Sequence, residues 1–181
     1  MTVIDINPQD PALAGCMATF TGKIVNLWDI DPDSINLEDI AHGLAFNCRW
    51  NGHTKAWYSI AEHCIRVHDR APAGLQLLAL FHDAEEAYWG DMIRPLKMLL
   101  KTGYPELLEK MKQTRQTIFQ KFGIQDGDGY KYLDNEELKW DFANLILELN
   151  HKPMPPELAK AEWLARAHGL FFARDRRCNF K

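Results

Sequence analysis

From Leu37 onward, apolar residues recur at three- and four-residue spacing through Ile40, Ala41 and Leu44, which predicts a helix rather than a strand. The preceding stretch, 1–35, mixes turn formers with short apolar runs such as 23–28, and 29–34 reads as a turn. It is expected to form a short irregular N-terminal arm, with room for a small hairpin, packed on the helical remainder of the chain. Residues 47–54 contain Asn51-Gly52 and read as a loop. Ser59-Ile60-Ala61-Glu62 has capping-box spacing, which starts a helix running towards Asp69 until Pro72 and Gly74 break it. A further helix over about 75–89 carries Leu77, Leu78, Leu80 and Phe81 and stops at Gly90. Beyond the segment Arg94–Lys97, the pattern predicts helices over roughly 105–122, 130–149 and 156–172. With strand signals nearly absent, and no repeat or linker, the expectation is an all-α fold in one domain over 1–181.

The chain has 181 residues, long enough to bury roughly two-thirds of its unfolded surface. Its net charge of -4 argues against non-specific binding to a nucleic-acid polymer, which needs a strongly positive face. A small anion needs only a few local cations, so a nucleotide remains compatible with that balance. Cys16, Cys48, Cys64 and Cys178 are scattered and read as reduced thiols. The first residues lack a basic and apolar leader, and no apolar run reaches the length of a membrane span. A cytoplasmic protein without a membrane partner is expected: bacterial cytosol, or host cytoplasm if phage-encoded.

The chemistry concentrates in 80–91. Adjacent His82 and Asp83 on a buried-looking helix are costly unless they bind something. On a helix, Glu86 lies within reach of both, and Asp91 comes directly after the helix-ending Gly90. Imidazole nitrogen with carboxylate oxygen suits one divalent transition metal such as Mn, Co, Zn, Fe or Ni. The remaining ligands must come from elsewhere, with His63 beside Glu62 one candidate and Asp134 on a later helix another. Asp141, further along that helix, competes with Asp134 for the last position.

In order, His63, His82-Asp83 and Asp134 resemble the H…HD…D signature of the HD phosphohydrolase superfamily. The fuller pattern, Tyr58-Ser-Ile-Ala-Glu-His63 with His82-Asp83-x-x-Glu86-x-x-x-x-Asp91-x-x-x-Pro95-x-Lys97, is similar to its bacterial and phage 5′-deoxynucleotidase branch. That branch includes compact phage members that hydrolyse deoxynucleoside triphosphates, some selective for dATP. The resemblance covers about 20–150 and implies a helical bundle with the metal between helices and a homo-oligomeric assembly. It implies that His63, His82, Asp83 and Asp134 bind one metal, and that Glu86 and Asp91 handle the attacking water or the leaving oxygen. It also implies that Arg49 and Trp50 contact the nucleotide, that Lys97 holds phosphate and that His53 assists. Ala87 departs from the guanosine tetraphosphate hydrolases, which carry an acid there. Glu86 replaces a His found in cyclic-nucleotide phosphodiesterases, which speaks against a second, His-rich metal site. The alternative within the same fold is a non-catalytic domain that senses a nucleotide.

Other features read as structural. His42, His151 and His168 are taken as packed or solvated, and His68-Asp69 as a second His-Asp pair without a metal. The acidic stretch 126–137 has Lys131 where a calcium loop needs glycine. Trp28, Trp89, Trp140 and Trp163 read as core, Cys64 as a small apolar side chain, and 171–177 as a solvated helix end.

Overall fold

A computed structural model describes residues 14–147 and 150–178. The arm forms the small hairpin, β1 (Cys16–Ala18) antiparallel to β2 (Ile24–Asn26), with Met17 opposite Val25. Its residues 1–13 lie outside the described part. The rest is helical: α1 (Leu37–Phe46), α2 (Ile60–Arg70), α3 (Gln76–Phe81), α4 (Glu86–Trp89), α5 (Arg94–Gly103), α6 (Pro105–Phe122), α7 (Lys131–Asp141) and α8 (Pro156–Cys178). None of the described helices is long and apolar enough to cross a membrane.

Buried carboxylates fasten the pieces together. Asp39 of α1 accepts hydrogen bonds from the Thr19 hydroxyl and from the Thr21 N–H and hydroxyl, each at 2.8 Å, which ties the hairpin to the helix. Burial pushes this carboxyl's pKa up, but the donors outweigh it and hold it below the usual range. Ser59 caps α2 as its spacing predicts, accepting from the Glu62 N–H at 3.1 Å. The Glu62 side chain does not close the capping box. It accepts from the Met154 N–H at 2.8 Å and pairs with His151 at 2.6 Å, anchoring the segment that leads into α8. His151, expected to be merely packed or solvated, therefore clasps two distant segments.

The core lies where α1, α2, α3 and α8 meet. Trp163 is fully buried, donates to the Leu80 carbonyl at 3.2 Å and packs against Phe81, with ring centroids 4.8 Å apart. Trp28, by contrast, is 50% exposed, correcting its assignment to the core. His68 and Asp69 bond each other at 2.7 Å, and Arg166 of α8 takes the Asp69 carboxylate, so this second His-Asp pair serves packing.

Four boundaries differ from the sequence reading. The predicted helix over 75–89 divides into α3 and α4 around a tight turn, because the His82 Nδ1 bonds the Ala79 carbonyl at 2.7 Å. In a continuous helix that carbonyl would serve the Asp83 N–H, and the next bonds shorten to the three-residue type, Ala84 to Phe81 and Glu86 to Asp83. Arg94–Lys97, read from the sequence as a segment between helices, opens α5, with Pro95 in its first turn, where its missing N–H costs nothing. The helix predicted over 130–149 ends at Asp141 and continues as a wider turn over Phe142–Leu147; residues 148 and 149 lie outside the described part. The last helix runs to Cys178, past the predicted end at 172.

Close approach of α1 to α4 sets the position of Glu86. A Cβ on Gly43 would lie 2.5 Å from the Ala87 carbonyl oxygen. Gly43→Ala is expected to destabilise the chain by about 1–3 kcal/mol through overpacking, read as a lower thermal midpoint. An unchanged midpoint would show that α4 yields freely.

Candidate metal centre and adjoining cavity

Three separated segments deliver the site. His63 comes from the first turn of α2, His82 and Asp83 from the turn after α3, and Asp134 from the first turn of α7. Helix α7 is fixed against α2 by Glu137, whose buried carboxylate takes Arg66 and Arg70. Asp134 and Asp141 stand three residues before and four after Glu137, so all three project from one face towards α2.

The polar atoms then converge. His63 Nε2 and His82 Nε2 are 3.3 Å apart. Asp83 Oδ2 lies 3.2 Å from His82 Nε2 and 3.8 Å from His63 Nε2. Asp134 Oδ1 is 3.1 Å from His63 Nε2 and 3.6 Å from His82 Nε2. His63, His82 and Asp83 form a group that could hold a metal ion. The opposite ring atoms are directed elsewhere. A carbonyl only accepts, so the 2.7 Å contact with Ala79 puts a proton on His82 Nδ1. The neutral ring is then left with a bare Nε2 facing a second imidazole and two carboxylates. That donor set fits a divalent cation, with two negative charges to match it.

Burial works against the His82 imidazolium, yet the adjacent Asp83 carboxylate outweighs it and holds His82 well above its ordinary pKa. Burial likewise opposes the charged forms of Asp83 and Asp134. The His82 partner keeps Asp83 well below the usual carboxylate range, and hydrogen bonds to both histidines lower Asp134.

Asp141 sits behind the cluster, fully buried. Its Oδ2 is 3.4 Å from His63 Nδ1 and 3.6 Å from Arg49 Nε, and among the described residues none of these three atoms makes a hydrogen bond. The sequence leaves Asp134 and Asp141 as rivals for one position. In the structure Asp134 faces the Nε2 side and Asp141 the Nδ1 side of the same ring. Asp141→Asn is expected to weaken divalent-metal affinity by about 10–100-fold, the usual cost of losing a carboxylate that orients a metal-ligating His. Titration against a fluorescent chelator checks it, and unchanged affinity would exclude this role.

A cavity of about 300 Å³ opens beside the cluster, and Arg49, Trp50, His53, Glu86, Asp91, Lys97 and Asp134 all line it. Seven of the ten residues expected to handle substrate, water or metal therefore share one wall system, and His63, His82 and Asp83 lie beside it. Arg49 is engaged within it: its Nη1 is 3.2 Å from Asp83 Oδ2, and its side chain is mostly buried. Trp50 and Asn51 both adopt left-handed backbone, φ 57° and 49°, an uncommon conformation outside glycine. Asp91 holds this turn by accepting from the Asn51 N–H at 3.3 Å, and the positive φ of Gly90, 76°, brings Asp91 there. Glu86 is 2% exposed and lies 3.3 Å from Lys97 Nζ. Burial, reinforced by Asp83, pushes its carboxyl up to about 8 despite that lysine. Lys97 in turn keeps its charge: the Glu86 and Asp83 carboxylates outweigh its burial and raise its pKa.

No protein-family model matches the chain. An uncharacterized protein of Rhodobacter capsulatus is 45% identical to it over 100 residues, covering 50% of this chain and 51% of that protein. The uncharacterized protein YfdR of Escherichia coli K12 is 38% identical over 106 residues, covering 59% of this chain and 57% of that protein. The chain thus spans about half the length of the curated relatives it matches.

Proposed function

We propose that this chain is a metal-dependent phosphohydrolase of the HD type that cleaves phosphate from deoxynucleotides, as mono- or triphosphates. The observation that carries this reading is the meeting of His63, His82, Asp83 and Asp134 at the edge of a cavity that also holds two acids and a lysine. These four would hold one divalent ion, Mn, Co, Zn, Fe or Ni, with Asp141 and the Ala79 carbonyl orienting the two imidazoles. A divalent ion there supplies Lewis acidity towards a phosphoryl oxygen and lowers the pKa of water.

The chain's own groups divide the remaining work. Lys97, charged and on the cavity wall, neutralises negative charge that grows on the phosphoryl oxygens. Glu86, protonated near neutral pH in the metal-free chain, is suited to give its proton to the leaving oxygen. Asp91 fixes the Trp50–Asn51 turn, and the Trp50 indole offers a face on which a base can stack, worth roughly 1–3 kcal/mol. Arg49 neutralises Asp83 and Asp141 and, from the cavity wall, is available to an incoming phosphate. His53 closes the same wall. The family resemblance extends the proposal to a cytoplasmic homo-oligomer.

The test is a panel of deoxynucleoside mono- and triphosphates incubated with the full chain and Mn or Co, with products read by ion chromatography. Release of phosphate or tripolyphosphate is the expected result. Stoichiometric nucleotide binding by calorimetry without product would convert the proposal to a nucleotide-sensing domain. No binding and no product would remove it.

A further inference from the structure

Helix α5 is a loosely packed wall of the cavity beside the metal centre. Half of the residues lining that cavity, 91–95 and Lys97, belong to α5 and the segment leading into it, and Asp134 and Leu138 of α7 stand among the rest. Yet none of the residues of α5 is buried, and Met98 and Leu99 are 71% and 70% exposed. Behind α5, towards α6, lies a second cavity of about 400 Å³, with Met98, Leu108 and Met111 in its mainly apolar wall. A helix that buries so little opens readily, so its position depends on the bonds at its N-terminal end. Lys97 Nζ lies 3.3 Å from Glu86 Oε1. Arg94 Nη2 donates to Asn135 Oδ1 of α7 at 2.8 Å. The Asn135 amide is itself oriented: its Nδ2 donates to the Lys131 carbonyl at 2.8 Å, which turns the oxygen towards Arg94. Asn135 directly follows Asp134, and Arg94 stands three residues before Lys97 on the same side of α5. The bond therefore joins the helix that carries Lys97 to the helix that carries Asp134, at the exposed edge of the cavity between them.

We propose that Arg94 is a positioning residue, whose hydrogen bond to Asn135 latches α5 across the cavity and sets Lys97 facing the metal ligands. The latch is a property of the chain alone; its effect on turnover rests on the hydrolytic reading given above. A chain with α5 swung away presents Lys97 wrongly and does not bind substrate. Releasing the latch lowers the binding-competent fraction and weakens apparent affinity by the same factor, while the bound, closed state is unaltered. Arg94 therefore acts on KM rather than kcat. It leaves the metal untouched, because none of the four proposed ligands comes from α5.

Amide hydrogen exchange of the metal-free full chain, read by mass spectrometry over 91–103, tests the latch without substrate. Arg94→Gln and Asn135→Ala should each speed exchange there by about 3–10-fold, the size of one net hydrogen bond. The double variant should be no faster than either single one, because both remove the same bond. Lys101→Gln on the same helix should leave exchange unchanged, and Arg94→Lys, which keeps a donor, should restore most of the protection. With whichever of dAMP and dATP is turned over, Arg94→Gln should raise KM by a similar factor at near-constant kcat, with manganese affinity unchanged. Unaltered exchange in both single variants, additive acceleration in the double, or a fall in kcat at constant KM overturns the proposal. Faster exchange in a chain that hydrolyses no nucleotide would leave the latch in place and remove the hydrolytic reading instead.

Discussion

A His82→Ala chain is expected to lose divalent metal and hydrolysis together, with affinity reduced by at least about a hundredfold. The lower bound comes from scale: outer-shell partners alone are worth about 10–100-fold, and His82 would be a direct donor. His82 is 1% exposed, and its ring is held by the 2.7 Å bond to Ala79, so the alanine removes both an Nε2 donor and the turn's internal clamp. Asp83→Asn separates these contributions, because it keeps the volume and the turn while removing a charge. Metal content by inductively coupled plasma mass spectrometry, beside a thermal melt, reads both variants. Stoichiometric metal in a folded His82→Ala chain would contradict the assignment.

Glu86→Gln is expected to retain the metal while turnover falls by about 10²–10⁴-fold, the range of a positioned acid or base. The same residue gives a pH signature in the metal-free chain. Its folded carboxyl titrates near 8, above the ordinary 4.5, so its contribution to stability is complete below about pH 4.5. That contribution is lost as pH rises through about 8, where the buried group must ionise. Glu85, raised to about 7 by burial and by Asp83, acts in the same direction. The thermal midpoint of the metal-free chain should therefore fall between about pH 4.5 and 8, and Glu86→Gln should flatten part of the fall. A midpoint that rises over this range, or full turnover in the variant, would take Glu86 out of the mechanism.

What can be read from the chain alone is local. The Ser59 cap, the α6 span and the stop at Gly90 arise from side chains that act within one helical turn. Helix α5 escapes such a reading because Pro95 and the mixed pattern after it resemble a connector, and none of its residues is buried. The break at His82 has no sequence signal, because an imidazole competing for the Ala79 carbonyl leaves no mark in apolar spacing. In the site, the local group His82, Asp83, Glu86 and Asp91 is legible, as is His63 one helix earlier. The structure brings these and Asp134 to one place. The supporting carboxylates are not legible in their roles. Glu62 reaches His151 across 89 positions, and Glu137 reaches Arg66 across 71, so no short-range pattern records either. Asp141 reads only as a rival ligand, because spacing along α7 gives the shared face but not which side of the His63 ring each acid meets.

The most direct measurement is an anomalous difference map from crystals grown with manganese, collected at the manganese edge. One strong peak among His63 Nε2, His82 Nε2, Asp83 and Asp134, with Asp141 outside coordination distance, is the predicted result. A featureless map at saturating manganese, or a peak that leaves the two histidines uncoordinated, would contradict a metal centre at this place.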